Sequence, residues 1–378
     1  MSPNPLSRRT ILTAGAAVAA TPILGQTAAS AASTPTWRDM PISLGADVAS
    51  LNEVAVVNRR WGWAGGLLGG TAYNLALASW DGHAWSRFPI PEPFGGGGVV
   101  MAADRRHLWL MGYGTSYSAF WNGSTWRPAE IPTKPGFSFP IWVGPYSISA
   151  APDGTAWAVL VDVVHDLSLV LHWENGAWAR ADVPVPETGI AQQVAVRSSR
   201  DVWISGWYRD ERQTRLPYSL HWDGRSWKKV AVSPPDQPRE SQSVKHILPV
   251  SRSLAWAYRN WDVMPSRRVL LRWTGGDSWQ EFPLPDDVPQ VGPALADDGR
   301  HGVWIGGGGY GSTAYAHFRN GVWTVMRGPA RDPQARVDAM SLARVPGTRT
   351  IIAVGEILYS DAGSPTGYGK KPLTERLH

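Results

Sequence analysis

One phrase recurs along the chain at intervals that suit a stacked or circular β-fold. Its clearest copy reads Leu220-His221-Trp222-Asp223-Gly224-Arg225-Ser226-Trp227. Relatives stand at Trp80-Asp81-Gly82-His83-Ala84-Trp85, Trp121-Asn122-Gly123-Ser124-Thr125-Trp126 and Trp173-Glu174-Asn175-Gly176-Ala177-Trp178. Two looser copies are Trp273-Thr274-Gly275-Gly276-Asp277-Ser278-Trp279 and Phe318-Arg319-Asn320-Gly321-Val322-Trp323. Asp-Gly and Asn-Gly between apolar flanks predict tight hairpins, because both residues tolerate φ > 0. A second phrase, Asp201-Val202-Trp203-Ile204-Ser205-Gly206, lies upstream of the first. Its Trp recurs at Trp63, Trp109, Trp157, Trp256 and Trp304, and Ile352 takes its place in Ile352-Ala353-Val354-Gly355. The steps are 46, 48, 46, 53, 48 and 48 residues. Each unit therefore reads as strand, turn, Trp strand, variable loop, His-Trp strand, Asp-Gly turn and a last Trp strand. Four strands repeated at this period predict the blades of an all-β propeller.

Seven Trp-strand copies stand against six complete hairpins. The chain ends at Arg376-Leu377-His378, which aligns with Leu220-His221 and stops short of the missing strand. Trp37-Arg38-Asp39-Met40-Pro41-Ile42 has that strand's pattern, a Trp with apolar residues three and five positions later. The expectation is a seven-bladed β-propeller over residues 35–378, its last blade closed by the N-terminal strand, which removes two free sheet edges. In its Asp-Gly-x-x-Trp hairpins the chain resembles kelch-like and galactose-oxidase-like propellers and bacterial seven-bladed propeller lectins. That resemblance spans residues 35–378 and implies a fold, not an activity. The sialidase box has one more residue between Asp and Trp and is not matched. The oxidase's copper chemistry requires a Cys cross-linked to Tyr, and the chain has no Cys.

Residues 1–31 read as an address. Ser7-Arg8-Arg9-Thr10-Ile11-Leu12 opens an apolar run that ends at Leu24, and Ala29-Ser30-Ala31 supplies small residues for cleavage. This resembles a twin-arginine secretion signal, which implies a secreted, extracellular protein. The 14-residue apolar run is too short to cross a hydrocarbon core of about 30 Å, so no stable membrane span is expected. The net charge of +5 falls to +3 without Arg8 and Arg9, and no Lys/Arg run exists. Nucleic acid is therefore not an expected partner. Absence of Cys excludes disulfides, thiolate metal sites and Cys nucleophiles. No His-x-x-x-His and no loop of regular carboxylate spacing occurs, so neither a metal nor a cofactor is expected. The chain is expected to be a monomer.

Subtracting the repeat leaves few candidate residues. Of 22 Trp, 18 occupy repeat positions, where burial between adjacent blades explains them. His172, His221, His317 and His378 share one repeat position, whereas His165 and His246 escape the pattern. In a four-stranded meander the middle loops and the blade-to-blade connections share one face, and here they vary. That face is expected to carry Trp142 and Tyr146, His165 with Asp166, Trp207-Tyr208-Arg209-Asp210, and Arg259 with Trp261-Asp262. Flat aromatic faces beside charged donors and acceptors suit sugars, whose C–H faces stack while their hydroxyls hydrogen-bond. Counting back ten residues from each marker, without gaps, gives Glu53, Val99, Ser147, Gln193, His246, Ala294 and Leu342. This register is expected to border the central channel, with Glu53 and His246 as its acid–base candidates in blades across the ring.

Two classes of function follow. The first is an exported propeller that binds extracellular carbohydrate, a small molecule or a cell-envelope protein on its variable face. Its ligand-binding residues would be Trp142, Tyr146, Gln193, Trp207, Tyr208, Arg209, Asp210, Trp261 and Asp262. The alternative is a secreted lyase, glycosidase or cyclase with acid–base chemistry at the central pocket, carried by Glu53, His246 and His165.

Overall fold

A strand can pack a neighbour closely only where side chains leave room, and the repeated glycine of the Trp strand supplies that room. In the computed structural model, which describes residues 35–45, 48–69, 75–90, 98–102, 107–112, 116–134, 136–137, 143–233, 242–261, 268–285, 294–364 and 367–378, every regular element is a β-strand. Gly206 lies against a bulge between Ala191 and Gln193, and a Cβ added there would sit 1.9 Å from the Ile190 carbonyl oxygen. Gly66 and Gly355 meet the carbonyls of Ser50 and Asp338 in the same way, each at 1.8 Å, beside bulges at 51–53 and 339–341. Gly206→Ala is therefore expected to cost about 3 kcal/mol, because backbone rather than a yielding side chain occupies the space. Urea unfolding of the variant measures it.

The hairpin phrase has an equally local cause. Asp223 Oδ1 accepts the amides of Arg225 at 2.9 Å and Ser226 at 3.0 Å, and Gly224 turns the chain at φ +93°. Asp81 and Asn122 hold their turns identically. The strands so joined are antiparallel meanders. Gly189–Ser198, Asp201–Arg209, Arg215–Trp222 and Trp227–Val230 pair in chain order, as do the strands within 98–130, 143–180 and 242–283. The sheet over residues 48–87 adds Ile42–Ser43 at its outer edge. An eight-stranded sheet gathers the remaining strands, where 308–310 pairs with 336–338. The fold is an all-β propeller. The first strands touch in succession, Val48–Asn58, Gly98–Ala102, Val143–Ala150, Gly189–Ser198, Gln242–Ser251, Ala294–Asp297 and Arg336–Arg344, and the last of these touches the first.

The tryptophans weld neighbouring sheets. Trp109 meets Trp173 at 5.8 Å, Trp157 meets Trp227 at 5.8 Å and Trp203 meets Trp273 at 4.9 Å, all edge to face. Trp256 meets Phe318 in the same manner, and within the eight-stranded sheet Trp304 meets Trp37 edge to face. Such contacts add to the burial of two large rings. The repeated His belongs to the same scaffold. His221 lies flat on Trp203 at 4.2 Å and bonds buried Asp201 at 3.0 Å, and His317 repeats this with Trp304 and Asp298. Burial opposes the Asp201 carboxylate, yet bonds from His221 and Arg197 hold it below its ordinary range.

The N-terminal segment joins the eight-stranded sheet to the first sheet. Trp37–Asp39 pairs antiparallel with the end of Tyr368–Leu377, and Ile42–Ser43 then runs parallel to Trp85–Arg87 in the first sheet. Deeper inside, the Val54 amide donates to Ser341 Oγ at 3.2 Å, as the Val194 amide does to Ser147 Oγ at 3.1 Å. The gap-free count along the repeat is corrected in the final unit. Ile352 opposes Arg376 where Trp203 opposes His221, so Arg376, not His378, takes the histidine position. Leu377 faces Trp37 as Trp222 faces Trp227. Ser341, not Leu342, opposes Val354 as Gln193 opposes Ser205. The cause is a turn after Ala343 that is one residue longer than its counterpart after Ala195.

Candidate functional site

A cleft of about 740 Å³ opens between the sheets 143–180 and 189–230. Its walls come from the third and fourth strands of the first of these, Leu167–Glu174 and Ala177–Arg180, and from the connection 181–189. Lys134 enters from the preceding connection, and Arg209 from the last position of the strand Asp201–Arg209. The volume is in the range that holds a sugar or a comparable small molecule.

Polar groups converge on it. Arg209 Nη2 donates to Asp166 Oδ2 at 2.9 Å, joining the two sheets across the cleft. The Thr188 hydroxyl donates to the Arg209 carbonyl at 2.7 Å and accepts its amide at 3.1 Å, which fixes the backbone that presents the guanidinium. Asp166 takes φ +50° as the last residue of its tight loop, just before the strand Leu167–Glu174. Lys134 Nζ donates to the Ser168 carbonyl at 2.7 Å. Lost hydration holds the Lys134 amine below its ordinary value, and the nearby Arg180 guanidinium adds to the effect. Leu169, Val170, Ala181, Val183 and Val185 give the floor its apolar part.

The other sequence-predicted residues lie as follows. Trp207 is not a free stacking face: it is 5% exposed, packs into the core between the two sheets, and has Arg215 over its ring at 4.2 Å. Arg209 covers the same ring at 5.2 Å, so the tryptophan supports the cleft from beneath. Tyr208 has Lys229 over its ring at 5.7 Å. The Asp210 carboxylate is spent on its own loop, accepting the amides of Arg212 and Thr214. His165 is 58% exposed and bonds Asp162 through Nδ1 at 2.8 Å. Burial works against the Asp162 carboxylate, but the His165 ring and two amides hold it low. Arg259 is buried and bonded to Glu281 and the Ser233 carbonyl. Trp142 and Asp262 lie outside the described residues, as does the side chain of Trp261.

Toward the ring interior, Tyr146 is 38% exposed at a bulge between Pro145 and Ser147, and Gln193 is half-buried. Glu53 and His246 sit on first strands of different sheets, and no hydrogen bond joins them. Burial raises Glu53 from 4.5 to about 7. His246 takes φ +55° in a bulge that puts Lys245, not His246, opposite Tyr258, the place Gln193 holds opposite Ser205, and burial, then the Lys245 charge, lowers it to about 4. The structure thus brings Arg209 and Asp166 together and leaves the axial pair apart. Among the described residues no cluster of three or more His, Asp or Glu could hold a metal ion, and no helix is long and apolar enough to cross a membrane.

Lys134, Arg180 and Thr188 carry the cleft without a sequence signal of their own. Arg180 stands in the last strand of a hairpin, which reads as scaffold, and Lys134 in a Pro-Thr-Lys-Pro connection of the variable face that carries no aromatic or acid–base signal.

No family model matches the chain, and no curated protein does. Solved structures share its fold. YCF48 bound to D1 peptide superposes with a TM-score of 0.52 at 13% identity, covering 90% of this chain and 96% of that one. The BP39L lectin from Burkholderia pseudomallei gives 0.50 at 12% identity, covering 87% and 99%. A protein from Lactobacillus plantarum gives 0.53 at 10% identity, covering 75% and 86%. At these identities the likeness is one of fold.

Proposed function

We propose that this chain is an exported seven-bladed propeller that binds carbohydrate in the cleft between the sheets 143–180 and 189–230. The observation that carries the reading is the cleft itself, with Arg209 pinned to Asp166 across it and apolar side chains below. Such a mix of donors, acceptors and apolar floor matches the hydroxyls and C–H faces of a sugar. The BP39L lectin, a protein of like fold, lends it a precedent. Asp166→Ala frees Arg209 and is expected to weaken saccharide binding at least tenfold while leaving the unfolding midpoint within a degree or two. Glycan-array screening followed by titration calorimetry measures this. Failure of the unaltered protein to bind any glycan overturns the reading.

The blade count rests on the unbroken succession of first-strand contacts, which returns from Arg336–Arg344 to Val48–Asn58. The eight-stranded sheet is then two blades, 294–327 and 336–377 with Trp37–Asp39, joined by the pairing at 308–310. Residues 1–31 are the export signal and 35–378 the propeller. Changing Arg8 and Arg9 together to Lys should leave the protein inside the cell, because the twin-arginine receptor reads guanidinium groups. Fractionation of the culture checks it, and undiminished export of the double variant counts against the assignment. The propeller acts as a monomer outside the cell on a polysaccharide or another cell-envelope component.

A further inference from the structure

Two cations in the cleft form no ion pair among the described residues. Arg180 is exposed, and among the described residues its guanidinium makes no hydrogen bond or ion pair. Lys134 is half-buried, and its amine donates to the uncharged carbonyl of Ser168. No described carboxylate forms an ion pair with either. Asp166 is committed to Arg209, while Asp182 and Glu187 are exposed on the connection and pair with neither cation. Lost hydration and then the Arg180 charge hold the Lys134 amine below its ordinary value. Two like charges lining one cleft repel each other, and a ligand's anion relieves that repulsion.

We propose that the cleft takes an acidic saccharide, one bearing a ring carboxylate or sulfate, with the anionic group seated between Lys134 and Arg180. This rests on the carbohydrate reading above and goes further by naming the ligand's charge. Lys134 acts as a point donor, and the planar Arg180 fork pairs two oxyanion oxygens. Asp182 and Glu187 lie along the same cleft and accept hydroxyl hydrogens from the uncharged part of the sugar. Their charge repels a second anion, so the seat orients the ligand as well as holding it.

The test compares three probes by calorimetry: a trimeric hexuronate, a sulfated galactan oligosaccharide and a neutral oligosaccharide of matched length. Either acidic probe is expected to bind at least tenfold more tightly than the neutral one at low salt, and the preference should shrink as salt rises. Which acidic probe wins distinguishes carboxylate from sulfate. Lys134→Met keeps the aliphatic stem, and Arg180→Ala changes an exposed side chain. Each should cut the preference about tenfold with an unchanged unfolding midpoint. Equal affinity for acidic and neutral probes, or a preference indifferent to both substitutions, overturns the anion seat while the carbohydrate reading stands. Absence of binding to all three probes and to a wider glycan array overturns both.

Discussion

Glu375→Ala is expected to cost about 3–5 kcal/mol of unfolding free energy, because it strands buried groups where the two ends of the chain meet. Glu375 is fully buried on the last strand, and its two oxygens serve three donors. Oε2 accepts the Tyr315 hydroxyl at 2.6 Å and the Thr313 hydroxyl at 2.8 Å, while Oε1 accepts Arg331 Nη2 at 2.7 Å. The same guanidinium reaches Asp39 on the N-terminal strand at 2.5 Å. Trp37, two residues before Asp39, stacks on Tyr315 at 3.6 Å. One carboxylate therefore ties together the N-terminal strand, the last strand and the hairpin that ends in Val322–Arg327. Truncation leaves Arg331 charged and half-buried and Tyr315 without an acceptor. Arg331→Met should be costly for the converse reason, and the double variant Glu375→Leu with Arg331→Met should cost less than the two single changes added together. Urea unfolding of the four proteins closes the cycle. A loss below about 1 kcal/mol for Glu375→Ala would place this carboxylate among ordinary surface pairs and sink the idea that it seals the ring.

The parts of this fold legible in the sequence are those whose cause is local. Asp223 and Gly224 announce a hairpin because the carboxylate caps its own turn and the glycine supplies φ > 0. Trp37 could be recognised as a displaced last strand because its apolar spacing repeats that of its relatives, and it does pair with Leu377. Trp207 misleads because a residue near a variable loop still belongs to its strand, which runs on to Arg209 and buries the ring under Arg215. Leu342 misleads because counting cannot see a lengthened turn. The cleft is illegible for a different reason: Lys134, Asp166, Arg180 and Arg209 span 75 residues of sequence and meet through inter-sheet packing. No short window contains them. Charge pairing decides which of them stay free, and only coordinates show that Asp166 is taken and Arg180 is not.

Deleting either axial titratable group should unmask a pH dependence that the other hides. Glu53 titrates at about 7 in the folded protein against 4.5 ordinarily, because burial disfavours its charge. The folded state thus binds this proton more tightly, and the stability it confers is complete below 4.5 and lost as pH rises through 7. His246 runs the opposite way, at about 4 against 6.5, since burial and then Lys245 disfavour its charge. The unfolded chain takes that proton first, so stability is complete above 6.5 and lost as pH falls through 4. Each gap corresponds to roughly 3 kcal/mol. Between 4.5 and 6.5 the two slopes oppose one another and the pair contributes little net dependence. Glu53→Gln removes the falling limb, so its stability relative to the unaltered protein should climb from parity near pH 4 to an excess of about 3 kcal/mol at pH 8. His246→Asn keeps a residue that tolerates φ +55° and leaves the Glu53 limb alone, so its difference curve should be largest near pH 4 and vanish above 6.5. Urea unfolding free energies from pH 4 to 8 give both difference curves, in which every other titrating group cancels. Flat difference curves would mean that water solvates both groups along the axis as freely as in the unfolded chain. Curves of the stated sign would mean that the ring interior withholds water from half-buried Glu53 at neutral pH, and that its carboxyl keeps its proton about half the time.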